Sequence, residues 1–163
     1  MLMNTLNQDL LCELFEYKDG HLYWKVNKGR AKNGTKAGSI HNQGYLSVRI
    51  NKKAYLLHRL IYLYHNGVLP EFIDHINGNK LDNHIENLRP ATLSQNGCNA
   101  TLSKRNTSGI KGVSWNKRYN KWEAYLNKNN KRTRIGKFSS LEEATKAVTE
   151  ARNTYHKEFA RHE

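Results

Sequence analysis

Cysteine is scarce: Cys12 and Cys98 are the whole complement of 163 residues, too few for a four-cysteine zinc site, and no CxxC pair is present. Both thiols are expected to be reduced and buried. No apolar run approaches the roughly 20 residues that a membrane-spanning helix needs. Met1 to Asp9 also lacks the basic and then apolar stretches of a secretory signal. The expectation is a protein that stays in the cytoplasm of the cell that makes it and is not attached to a membrane. Acidic residues are the third shortage, 14 Asp and Glu against 27 Lys and Arg, for a net charge of +13. A polyanionic partner is the simplest reason for such an imbalance. Residues 1–100 hold 12 basic and 8 acidic side chains, net +4, and residues 101–163 hold 15 and 6, net +9. That asymmetry favours two small domains over one.

Leu6, Leu10, Leu11, Leu14 and Phe15 recur at helical spacing, which predicts a short amphipathic helix over residues 5–17. Asp19-Gly20 predicts a turn and residues 21–26 a strand. Residues 27–38 read as a loop whose Lys28, Arg30, Lys32 and Lys36 face either water or phosphate. Residues 44–50 alternate, Asn51-Lys52-Lys53 turns the chain, and residues 54–57 return as the second arm of a hairpin. His58–Asn66 reads as a helix closed by Gly67, with Leu60, Ile61 and Tyr64 toward the core. His58, at its start beside an apolar face, is expected to have a structural or orienting role rather than to react. A strand over 72–76 follows, folded back by Asn77-Gly78. Arg89-Pro90 then ends extended structure, and a helix over 91–100 is capped by Thr92.

Residues 102–109 turn to Ser, Lys, Arg, Asn, Thr and Gly, the composition of a basic linker. Three short strands are expected at 110–115, 121–127 and 132–138. Ser140-Leu141-Glu142-Glu143 then forms a capping box. It opens a helix with Leu141, Ala144, Val148, Ala151, Tyr155 and Phe159 on one face. Trp115 and Trp122 are read as packing between that helix and the sheet. The fold class is α+β, with a domain over residues 1–101, a linker over 102–109 and a second domain over 110–160.

The stretch from Asp74 to Arg89, continuing to Asn96, gathers an acid, a histidine and several side-chain amides in a segment too polar for a core. Phosphodiester hydrolysis needs a nucleophilic water, charge compensation on the phosphoryl oxygens and help for the leaving oxygen. A histidine can supply the first as general base, and one divalent metal the other two. Adjacent strand residues point to opposite faces, so Asp74 and His75 serve one site only if the strand ends or twists there, as Asn77-Gly78 allows. Asn87 could orient the His75 ring. The oxygens of Asp74 and Asn96 are hard ligands that suit Mg²⁺ or Mn²⁺ better than Zn²⁺, and Asn99, nearly a turn beyond Asn96, competes for the second place. The same residues are also ordinary turn chemistry, and a His beside an Asp is a common surface pair.

Asp74-His75-Ile76-Asn77-Gly78-Asn79-Lys80-Leu81-Asp82-Asn83, then Asn87-Leu88-Arg89, Thr92 and Gln95-Asn96, resembles the HNH endonucleases of phage and intron-homing type, over roughly residues 44–99. The resemblance implies a ββα-metal motif with His75 as general base, Asn87 holding it, and Asp74 and Asn96 on one divalent metal, Mg²⁺ or alternatively Mn²⁺. It departs from the family pattern in carrying Asn96 where the last histidine of H-N-H stands. Gly109–Trp115, Lys121–Leu126, Arg134–Phe138 and Glu142–Ala144 are similar to an AP2 DNA-binding domain. That resemblance implies a sheet laid in the major groove, with Lys111, Ser114, Tyr125, Arg132 and Arg134 at reading positions and Lys117, Arg118, Lys128 and Lys131 near phosphates. From Lys104 to Lys137 there are 11 basic residues and one acid, in keeping with that role.

Together these imply a site-preferring endonuclease acting on double-stranded DNA in a bacterial or phage-infected cell. It would need no small-molecule cofactor and would work as a monomer or a homodimer. The alternative is a sequence-preferring DNA-binding protein with an inactive HNH scaffold, and a third reading is an RNA-directed binder or nuclease.

Overall fold

The computed structural model describes residues 6–100, 102–103, 105–128 and 131–162, with the side chain of Lys128 left out. Thr5, Lys104 and the Lys128 side chain, which figure in the sequence reading, lie outside the described set. The chain divides into two compact units, Met1–Pro90 and Ala91–Glu163.

In the first unit, α1 (Gln8–Leu14) starts where the Asn7 side chain accepts from the Leu10 N–H at 3.0 Å. The helix is shorter than its apolar spacing suggested. Phe15 leaves it to begin β1 (Phe15–Lys18), where the fully buried ring lies 4.4 Å from that of Trp24. β2 (His21–Trp24) pairs with β1 through Asp19 and Gly20, both at positive φ, as a two-residue hairpin demands. A short β3 (Ser39–Ile40), absent from the sequence reading, joins β4 (Leu46–Ile50) and β5 (Lys53–Leu56) in an antiparallel sheet. α2 (Leu57–Asn66) follows β5 without a break. It ends at Gly67, left-handed at φ 69°, whose N–H returns to the Leu63 carbonyl. Leu57, Leu60 and Ile61 meet Leu11, Phe15 and Leu22 in the core, while Tyr64 is only half-buried. Cys12 is likewise half-buried and free.

β6 (Phe72–His75) pairs with β7 (Leu88–Ala91). Asn77-Gly78 therefore turns the chain without making a tight hairpin, and a long polar loop intervenes before the partner strand. Arg89-Pro90, expected to end extended structure, lies within β7. Proline is tolerated in a two-stranded ribbon because each strand has an unpaired edge.

In the second unit, α3 (Leu93–Cys98) carries the expected Thr92 cap, completed by Gln95 as a capping box. β8 (Val113–Asn116), β9 (Lys121–Lys128) and β10 (Lys131–Phe138) form an antiparallel meander covered by α4 (Leu141–His156). Val113, Ala124, Ala144 and Val148 make its small core, with Trp122, Ile135 and Phe138 at the margin. Trp115 meets Trp122 edge-on at 5.0 Å and is partly exposed. Two expectations need correction. Ile110–Gly112 form a turn rather than the start of β8, and the apolar face of α4 does not run on to Tyr155, which is exposed. Lys157, at φ 50°, breaks the helix, so Phe159 is buried from a separate 3₁₀ turn.

Candidate nuclease site and nucleic-acid interface

Asp74 and His75 end β6, and both are buried. The Asp74 Oδ2 accepts from Arg89 Nε at 2.9 Å and Nη2 at 2.8 Å, an ion pair across the β6–β7 ribbon. The His75 Nε2 lies 3.1 Å from Oδ1 of Asn83, itself almost fully buried. Asn83 Nδ2 donates to the Leu81 carbonyl at 3.1 Å, which fixes the amide so that Oδ1 faces the ring. An acceptor there requires the proton on Nε2, and the basic lone pair of the neutral ring is then on Nδ1. Burial holds the His75 pKa below its usual value, against the opposing pulls of Asn83 and Asp74, so the ring is neutral at pH 7.

The expected hydrogen bond from Asn87 to His75 is thus made by Asn83. Asn87 accepts from the Asn77 N–H at 2.9 Å and donates to Asn77 Oδ1 at 3.0 Å and the Asp82 carbonyl at 2.8 Å. It braces the loop that presents Asn83. Asn77 donates to Asp82 at 2.6 Å, and Asp82 also takes His84 at 2.7 Å.

His58, expected to be structural or orienting, packs edge-on to His75 with ring centroids 5.0 Å apart, and Tyr45 lies 5.2 Å from His58 and 6.0 Å from His75. The His58 Nδ1 is buried without a hydrogen-bond partner among the described residues. Burial first, and then the neighbouring His75 and Arg59, lower its pKa from 6.5 to about 3. A depressed pKa in the folded state means that this group's contribution to stability is full above pH 6.5 and is lost as pH falls toward about 3. Urea unfolding should therefore show declining stability over that interval. His58→Phe should flatten the decline, and an unchanged slope in that variant would remove His58 as its source.

In the second unit, β-alternation puts Ser114, Glu123, Tyr125 and Arg134 on the sheet face away from the core residues Val113 and Ala124. Ser114 Oγ donates to the Tyr125 hydroxyl at 3.1 Å, and that hydroxyl donates to Glu123 Oε2 at 2.5 Å. Arg134 and Lys137 approach the other Glu123 oxygen at 3.9 and 3.7 Å, while the Arg132 guanidinium lies 3.6 Å from the Tyr125 ring centre. The Tyr125 hydroxyl foremost holds the Glu123 carboxyl below its usual pKa. Ser114, Tyr125, Arg132 and Arg134 therefore form one neighbourhood around the acid. Lys117 and Arg118 are exposed on the β8–β9 turn. Lys111 makes its bonds away from Glu123. It lies half-buried in the turn before β8, and its ammonium donates to the Cys98 carbonyl at 2.7 Å and the Ala100 carbonyl at 2.5 Å, tying down the end of α3.

Residues 55–98 match the HNH endonuclease family model and residues 108–158 match the AP2 domain model. Protein 3.8 of Escherichia phage T7 is 36% identical over 98 residues, which cover 59% of this chain and 80% of that protein. The chain carries an HNH endonuclease segment followed by a C-terminal AP2 domain. Two relatives bear the family name. YosQ, an SPbeta prophage-derived protein of Bacillus subtilis named as an HNH homing endonuclease, is 40% identical over 55 residues, 32% of each chain. HNH endonuclease L560 of Acanthamoeba polyphaga mimivirus is 44% identical over 63 residues, 37% of this chain and 33% of that one. This chain thus spans about a third of each of those two proteins. No solved structure matches it.

The HNH match runs from β5 through α3, so it crosses the division between the compact units: α3 ends the HNH segment in sequence and belongs to the AP2-containing unit by contacts. Asn96 is on α3 and half-buried, and Asn99, its competitor, caps the helix and is buried. Among the described residues no three His, Cys, Asp or Glu side chains group as a metal site. The expected pair, one carboxylate and one amide, is not of that kind. Sequence reasoning missed Asn83, Arg89 as the partner of Asp74, and Glu123. The last carried a signal, being the one acid between Lys104 and Lys137.

Proposed function

We propose that this HNH endonuclease hydrolyses phosphodiester bonds of double-stranded DNA at a preferred site, with His75 as general base and one divalent metal. The observation that carries the reading is the orientation of the neutral His75 ring: Asn83 takes the Nε2 proton, which puts the basic lone pair of the ring on Nδ1. Asn87 supports that arrangement by bracing the loop. Asp74 offers a buried carboxylate, a hard oxygen donor whose charge suits a cation, and Asn96 an amide oxygen. These donors would hold Mg²⁺, or Mn²⁺, rather than a soft metal. Bound there, the metal would compensate charge on the phosphoryl oxygens and assist the leaving oxygen.

The AP2 sheet face supplies the grip, with Ser114, Tyr125, Arg132 and Arg134 toward the groove and Lys117 and Arg118 toward phosphates. In the first unit, Lys28, Arg30, Arg49 and Lys52 line a groove of about 850 Å³ beside Trp24, a second positive surface for the duplex. As functional divisions we retain residues 1–101 for cutting, 102–109 as linker and 110–160 for holding. A DNA-binding protein that does not cut is the second reading, and the Arg89 hold on Asp74 favours it.

Supercoiled plasmid in Mg²⁺ tests the proposal. Nicked or linear product that EDTA suppresses is expected, and intact plasmid across a range of divalent metals would leave only the binding reading. Arg134→Ala should weaken duplex binding and relax preference at one position by ~1–3 kcal/mol. A competition assay with single-base variants of the selected site checks this, and unchanged affinity and preference would take Arg134 out of the interface.

A further inference from the structure

Arg152 occupies the position on α4 where the apolar stripe would continue, and it is buried at 3% exposure. Its Nη2 is buried without a hydrogen-bond partner among the described residues, and the contact of its Nη1 is a 3.5 Å approach to His162 Nδ1. A guanidinium stays charged at any working pH, and a buried charge left without a counterion costs free energy. The side chain lines a cavity of about 190 Å³ between the end of α3, β9 and α4, together with Lys111, Arg132 and His156. Among the described residues no Asp or Glu lines that cavity. Two of the three Lys111 ammonium protons go to the carbonyls of Cys98 and Ala100, which leaves one donor. His156 donates Nε2–H to the Asn127 carbonyl at 2.9 Å, and its Nδ1 is buried and unpartnered among the described residues.

The room is made by Gly112. A Cβ there would lie 3.3 Å from Arg152 Nη2 and only 2.5 Å from the Tyr125 carbonyl oxygen, and the residue sits at φ +76°. Three cations, a histidine and a cradle open at glycine thus converge on a pocket with no acid among its described lining residues. It is smaller than most organic-ligand sites, which run to ~300–1,000 Å³.

We propose that this cavity binds a phosphate group, with Arg152 and Lys111 as fixed cations and Arg132 as an exposed third contact. The group could come from the backbone of a held duplex or from free phosphate. The site stands whether or not the HNH segment cuts DNA. Because Lys111 also holds the end of α3, a phosphate here would tie that helix to the sheet through a shared cation.

Calorimetric titration of the full chain with inorganic phosphate, against chloride at matched ionic strength, tests the site. One saturable site is expected, with a rise in unfolding temperature that chloride does not give. Arg152→Met should lose both effects while unfolding no earlier than the wild type in chloride, because it removes a buried charge that has no acidic partner among the described residues. Arg132→Ala, at an exposed position that cannot unfold the unit, should weaken phosphate binding several-fold. If Arg152→Met also lowers duplex affinity about tenfold, the backbone is the source; if duplex affinity is unchanged while the phosphate effect is lost, the source is free phosphate. Undiminished phosphate binding in either variant, or no saturable phosphate binding in the wild type, overturns the proposal.

Discussion

His75→Ala is expected to slow single-turnover cleavage of a duplex by ~10²–10⁴-fold, the usual contribution of a positioned general base. Duplex affinity should hardly move, because the basic surfaces of both units are untouched. The geometry sets a second, smaller expectation within the same experiment. Asn83→Leu removes the acceptor that fixes the Nε2 proton, so the ring can adopt the wrong tautomer or turn. Cleavage should fall by ~10–100-fold, the range seen when the partner of a functional histidine is removed. Asn87→Ala acts only through the loop and should cost less than Asn83→Leu. If Asn87→Ala costs more, the ring is held in the reacting state by a bond different from the one described here.

Arg89→Met is expected to destabilise the first unit by about 3–5 kcal/mol, because it leaves the Asp74 carboxylate buried without its cation. For a unit of this size that is a fall of more than about 10 °C in unfolding temperature. Chemical denaturation followed at the tryptophans would read it. The double variant Asp74→Leu, Arg89→Met should recover most of the loss, since an apolar pair of similar volume needs no counterion. A single variant as stable as the wild type would show that the ion pair contributes little.

Much of this architecture was legible in the residues themselves. Asp19-Gly20, Gly67, Thr92 and the Ser140 capping box are local devices whose effect depends on two to four neighbours, and each stands where the sequence puts it. What was not legible depends on pairing across distance. Phe15 stands at helical spacing from Leu11, yet it is drawn into β1 because its ring gains more by burial against Trp24. Arg89-Pro90 looks like a terminator until β6 is known to pair there. Asn83 and Asn87 are chemically identical and four residues apart in one polar loop. Only the path of that loop decides that Asn83 reaches the imidazole while Asn87 reaches Asn77 and Asp82. Lys111 matches an AP2 reading position within the strand expected at 110–115, but the chain turns at Gly112 and sends the ammonium to the end of α3.

The central claim is that a basic, two-unit HNH protein cuts DNA through His75 and a divalent metal rather than merely holding it. Supercoiled plasmid incubated in Mg²⁺ with wild type and with His75→Ala, each run beside a gel-shift assay on the same DNA, tests this most directly. The account predicts that both proteins shift DNA and that only the wild type converts the plasmid to nicked or linear product. Equal cleavage by the two proteins, or a wild type that shifts DNA and leaves it intact with every divalent metal tried, would contradict it.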